Sequence, residues 1–149
     1  MKTKRLKRDV AEHKRVGVDT GVFIHHFQGD GLAELTSVVL NEIQGGSCKG
    51  VVSSISLAEL MVRPLQAGED DLADLYRVLI HEMPNLETVS VDPHIASSAA
   101  EIRAAHNTGP TESLLLATAR ESGATAFITS DPRLKQVKGI KVMVLDEYF

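Results

Sequence analysis

The chain has 149 residues, 43% hydrophobic and 24% charged, with a net charge of −4; that excludes a disordered or fibrous chain and suits one domain with its own core. Cys48 is the only cysteine, which excludes an intrachain disulfide or a cysteine-rich metal site and fits a reducing, cytoplasmic setting. No apolar run approaches the roughly 20 residues of a membrane helix, and no apolar stretch follows the basic N-terminus as a secretory signal requires, so no membrane association is expected.

Residues 1–15 carry seven basic residues, Lys2, Lys4, Arg5, Lys7, Arg8, Lys14 and Arg15, against Asp9 and Glu12. The segment reads as a leader ahead of a domain at 16–149. It is either an RNA-contacting arm or a solvated, partly disordered stretch that aids solubility. The remaining body holds 9 basic and 18 acidic residues. Such a body does not suit sequence-independent grip on phosphates, but it does suit carboxylates gathered around a metal.

Val16-Gly17-Val18 reads as a first strand ending at Asp19. Helical spacing follows through Val22, Phe23, Phe27, Leu32, Leu35, Val38, Val39 and Ile43, and Gly45-Gly46 stops it. Gly50 to Ser53 is a second strand. Ser54 or Ser56 caps a helix running to about Arg63, with Pro64 at its end. Glu69 to Glu82 is a helix, and Leu86 to Val91 a third strand. Asp92-Pro93 opens a helix with Ile95, Ala99 and Ile102 in its stripe. Thr111 caps a helix from Glu112 to about Ser122, before Gly123. Ala126 to Thr129 and Ile140 to Leu145 are the last strands. Short apolar strands alternating with helices predict an α/β/α sandwich around a mostly parallel sheet of about five strands.

Ligands in such a fold bind beyond the carboxyl ends of the strands. Asp19 ends strand one and Asp131 follows strand four. Glu112 opens a helix, where its charge suits the dipole. Glu59 lies in the apolar run Ile55-Ser-Leu-Ala-Glu-Leu60. Singly, each has a plain structural role: a cap, a first-turn charge, a turn former or a solvated side chain. Together they form a candidate acidic pocket. Carboxylates held that close repel one another, and a divalent cation removes the conflict. All-oxygen ligands favour Mg²⁺ or Mn²⁺, which activate water and neutralise a phosphate under in-line attack.

Four segments resemble the PIN-domain family, which includes the toxin nucleases of toxin–antitoxin pairs. They are Val16-Gly-Val-Asp-Thr-Gly-Val-Phe-Ile24, Ser53-Ser-Ile-Ser-Leu-Ala-Glu-Leu60, Pro110-Thr-Glu-Ser-Leu-Leu-Leu-Ala-Thr-Ala119 and Gly123-Ala-Thr-Ala-Phe-Ile-Thr-Ser-Asp131. Each motif is weak alone, but the ordered set over residues 16 to about 145 is fairly specific. The resemblance implies an α/β/α endoribonuclease using Mg²⁺ or Mn²⁺ at Asp19, Glu59, Glu112 and Asp131. Thr20, Thr129 and Ser130 would lie beside them. It also implies a homodimer, an RNA substrate and a small antitoxin partner.

The chain departs from the family pattern at four places. Glu112 stands where Asp is usual, Thr111 where Pro is usual, Gly21 for Ser and Ser130 for Asn. The alternative is a weak or inactive PIN-like scaffold that binds RNA or a protein. Other folds with an Asp after strand one fit less well. A haloacid-dehalogenase-like phosphatase wants an Asp at position 21. A response regulator wants an acidic pair at 17–18. A dinucleotide site wants a glycine-rich turn. The six histidines read as surface or packing residues.

Overall fold

Five parallel strands form the spine of the computed structural model, which describes residues 2–149. They are β1 (Arg15–Val18), β2 (Lys49–Ser53), β3 (Leu86–Val89), β4 (Ala126–Thr129) and β5 (Lys141–Val144), in the order β3-β2-β1-β4-β5. Both faces of β1, β2, β4 and β5 are covered, which is why these strands read as apolar runs, whereas edge strand β3 leaves Glu87 and Thr88 exposed. Beneath that uniformity the residues still alternate. Val16, Val18, Ala126, Ile128 and Met143 pack into one core layer, while Phe127, Val142 and Val144 pack into the other. Gly17 belongs to the second face. A Cβ there would collide with Ala119 and lie 2.9 Å from Phe127 Cδ1, so glycine is what lets the helix carrying Ala119 pack close to β1.

The helices are α1 (Lys2–Ala11), α2 (Thr20–Gln28), α3 (Ala33–Gln44), α4 (Ser54–Gln66), α5 (Asp70–Glu82), α6 (Pro93–His106) and α7 (Pro110–Glu121). Helices α1 to α3 supply one layer, with Leu60 and Ile80 reaching in from α4 and α5. Helices α6 and α7 supply the other. None among the described residues is long and apolar enough to cross a membrane.

Several local expectations are corrected. The periodic stretch from Val22 to Ile43 is two helices, because Gly29 turns left-handed at φ 65° and closes α2. Helix α4 runs past Pro64 to Gln66, and its cap is Ser53, whose hydroxyl accepts from the Ile55 amide at 3.1 Å. Helix α7 starts at Pro110 with Gly109 as cap, so Thr111 lies inside it. Asp92 does cap α6, accepting from the Ile95 amide at 2.8 Å.

The largest departure is the basic leader. It is not a loose, solvated stretch: residues 2–11 form α1, docked on α3 and on the C-terminal 3-10 turn Leu145–Tyr148. Leu6 and Val10, one turn apart, are wholly buried. Burial of such side chains contributes about 2 kcal/mol each. Arg5 lies over the Tyr148 ring, 4.4 Å from its centroid, and donates to the Glu147 carbonyl at 2.6 Å. The Tyr148 hydroxyl donates to Asp9 at 2.8 Å.

Candidate active site

The chain leaves β1 by α2 towards β2 and β3, and later returns to place β4 on the other flank of β1. Connections therefore diverge between β1 and β4, and that divergence opens a crevice at the carboxyl ends of these two strands. Asp19 and Asp131 both fall there. The Asp19 amide donates to the Ile128 carbonyl at 2.9 Å, so the two strand ends stay joined where the crevice begins.

Two buried threonines hold two of the carboxylates. Thr129 donates to Asp19 Oδ2 at 2.6 Å, and its oxygen accepts from the Asp131 amide at 3.0 Å. Thr20 donates to Glu59 Oε1 at 2.6 Å and lies 2.7 Å from the Ser56 hydroxyl. Asp19 heads α2, yet its side chain makes no cap bond. Its carboxylate is instead approached by the amide of the adjacent Thr20. Burial pushes the Asp19 carboxyl up to about 6; the Thr129 hydroxyl opposes this, and the charges of Glu59 and Glu112 reinforce it.

The other two acids are engaged differently. Asp131 caps the 3-10 turn Pro132–Gln136 and is gripped by Arg133. The Arg133 Nε lies 3.1 Å and 3.2 Å from the two carboxylate oxygens, and its Nη2 lies 2.8 Å from Oδ2. That fork holds the Asp131 carboxyl below the usual carboxylate range. Glu112 shares a cleft of about 180 Å³ with Asp131 and Arg133. Its carboxylate curls back over Gly109, into space a Cβ at 109 would need. The longer glutamate side chain makes that backward reach possible.

All four acids thus fall on one edge of the sheet. Among the described residues, however, no three His, Cys, Asp or Glu side chains close into an ion-sized group. The donor chemistry fits a hard divalent cation: every donor is a carboxylate oxygen, and Asp19 resists ionisation without a counter-charge. Asp19 and Glu59 are braced by threonines, whereas Asp131 is held by Arg133 and Glu112 lies back over Gly109.

Thr20 and Thr129 do touch carboxylates. Ser130 stands over Gly21, its hydroxyl 3.2 Å from where a Cβ at 21 would sit, so two of the departures from the family pattern face each other. Ser56 and Arg133 were not anticipated. Arg133 is two residues past Asp131, a spacing that suits a side chain folding back on a cap. Ser56 carried no such signal, because its partner comes from α2. The histidines form no cluster: His25 pairs with Asp30 at 2.6 Å and His94 with Glu121 at 2.9 Å, both away from the crevice.

The PIN domain model matches residues 16–140. The chain belongs to the PIN domain family. Solved structures of similar fold include a chain of VapBC2 from Rickettsia felis bound to a promoter DNA fragment. It has a TM-score of 0.71 and 14% identity, over 87% of this chain and 98% of that one. A chain of a toxin–antitoxin complex from Klebsiella pneumoniae gives 0.67 and 18%, over 87% and 97%. A chain of DNA-bound VapBC from Salmonella typhimurium gives 0.63 and 18%, over 88% and 98%. No curated protein matches. The PIN match leaves α1 outside it.

Proposed function

We propose that this PIN domain is a Mg²⁺- or Mn²⁺-dependent endoribonuclease, the toxin of a cytoplasmic toxin–antitoxin pair. The observation that carries the reading is Asp19: a part-buried carboxyl in the β1–β4 crevice, raised to about 6 and facing the fields of Glu59 and Glu112. Asp19, Glu59, Glu112 and Asp131 would hold the cation. A divalent ion bound there would supply activation of a water and neutralisation of charge on the phosphate. Thr129 and Thr20 fix the rotamers of Asp19 and Glu59. Arg133, which holds Asp131, would have to release it for Asp131 to serve as a ligand, and its guanidinium could then pair with a phosphate oxygen.

The test is incubation of RNA with the protein in Mn²⁺, with and without EDTA, beside Asp19→Asn. Cleavage that needs metal and disappears in the variant supports the reading. Metal-independent cleavage, or equal cleavage by the variant, sinks it. One observation favours the second reading, a scaffold that binds without cutting: Asp131 is occupied by Arg133 and Glu112 is turned away. RNA retained but never cut would decide for it.

The partner reading rests on a groove of about 470 Å³ between α2, α4 and α5. Ile24, Phe27, Leu60, Pro64, Leu72 and Tyr76 give it an apolar floor, and Glu59, Arg63 and Glu69 a charged rim. Phe27 and Tyr76 stack with centroids 4.7 Å apart. Such a trough suits the apolar face of a helix, here that of a small antitoxin. Because Glu59 is part of its wall, an antitoxin cation can extend from the groove to the carboxylates and compete with metal. Val62, Leu65, Leu75, Val78 and Leu79 are exposed on α4 and α5, and we assign them to a homodimer contact. A monomer by light scattering at micromolar concentration would remove the dimer.

A further inference from the structure

We propose that the outer face of α1 is a docking surface for the phosphate backbone of single-stranded RNA; this rests on the nuclease reading above. Leu6 and Val10 turn inward, and Lys2, Lys4, Arg5, Lys7 and Arg8 are all exposed on the rest of the helix. The helix has no acid in its first turn. Cations there oppose the helix dipole, and Lys2–Arg5, Lys4–Lys7 and Lys4–Arg8 set like charges at repelling i,i+3 and i,i+4 spacings. This pattern works against the helix that carries it, and a polyanion relieves it. Among the described residues, Lys2 and Lys4 form no ion pair, Lys7 reaches Glu42 only at 3.7 Å, and Arg8 meets its own neighbour Asp9. No large apolar side chain is exposed on α1, so the face lacks the anchors of a protein interface or a membrane-lying helix.

Its position ties it to the crevice. All strands are parallel, so the 3-10 turn after β5 stands at the same edge as Asp19 and Asp131. Arg5 fixes the first half of α1 to that turn through Glu147 and Tyr148. Lys135, four residues past Asp131, binds the Glu147 carboxylate of the same turn. Contacts through Arg133, Lys135, Glu147 and Arg5 therefore connect Asp131 to the first half of α1 across β5, which lies two strand spacings, about 10 Å, from β1. The rest of the chain has a clear acidic excess, so grip on a strand independent of its sequence falls to the outer face of α1.

The experiment measures binding of a mixed-sequence single-stranded RNA across a salt series, in an Asp19→Asn background that leaves the strand intact. It compares that protein with one also carrying Lys2→Glu and Lys4→Glu. Acids in the first turn suit the dipole, so the melting temperature should hold or rise; if it falls, the Lys2→Gln/Lys4→Gln pair takes its place. Losing two contacts should lower the salt slope by about 1.4 and weaken binding about tenfold at 0.15 M salt. Unchanged affinity and slope overturn the proposal, and metal-dependent cleavage by the parent would then leave the nuclease reading standing. Absence of cleavage with the α1 effect intact does the reverse. Loss of duplex DNA or anionic vesicle binding, with RNA binding unaltered, also overturns it.

Discussion

Replacing Asp19 by Asn should make the metal-free protein more stable while ending its response to metal. The carboxyl titrates near 6 in the fold against 3.8 ordinarily. At about 1.4 kcal/mol per pH unit, keeping it ionised at pH 7.5 costs up to about 3 kcal/mol. Asn removes the charge yet still presents an oxygen to the Thr129 hydroxyl. For a domain of this length, the melting temperature in EDTA should rise by up to about 10 °C. The sign depends on pH. A carboxyl whose folded value is raised favours the fold when protonated, so the parent gains stability as pH falls through 6 towards 3.8. The variant lacks that gain, and the two melting curves should meet near pH 4 and separate above it. Millimolar Mn²⁺ should lift the parent, since a ligand bound only by the native state stabilises it, and should lift the variant little. Differential scanning calorimetry from pH 4 to 8, with EDTA or Mn²⁺, gives the four curves. Refutation would be a variant that melts below the parent in EDTA at pH 7.5, or a gap independent of pH.

Glu112→Gln should lose most RNA cleavage and Glu112→Asp should keep it, since the shorter acid cannot curl back over Gly109 so readily; gel assays of both variants against the parent decide. Arg133→Gln should free Asp131 and tighten Mn²⁺ binding severalfold by calorimetric titration, whereas weaker binding would show that Arg133 braces the site. Leu6→Ala should cost about 3 kcal/mol and lower the melting temperature by about 10 °C; an unchanged value would mean that α1 adds nothing to the fold.

The architecture was legible because β1, β2 and β4 are short apolar runs ending where polar residues begin. Asp19 and Asp131 followed from the same punctuation, since a carboxylate just past a buried strand is conspicuous. Helix α1 was hidden because Leu6 and Val10 are its only buried residues, and five exposed cations drown a two-point stripe. Gly29 and Gly31 bracket a break that apolar spacing alone runs straight through. Pro64 reads as a stop, yet α4 continues beyond it. Least visible were the bonds that orient the carboxylates. Thr129 meets Asp19 across 110 positions of chain, and Thr20 meets Glu59 across 39, and no local spacing rule encodes such a pairing.

The place of β1 in the middle of the sheet has a kinetic consequence. Strands β1, β2 and β3 can assemble in chain order, each beside its predecessor. The edge of β1 that faces the crevice stays unpaired until β4 arrives from more than a hundred residues away, and closing so long a loop is slow. Until then Asp19 is a solvated carboxylate at the rim of a half-built sheet, without Thr129 and without Asp131. A chain in which only the first three strands had assembled would lack the crevice altogether, and its open β1 edge would be free to mispair with another chain.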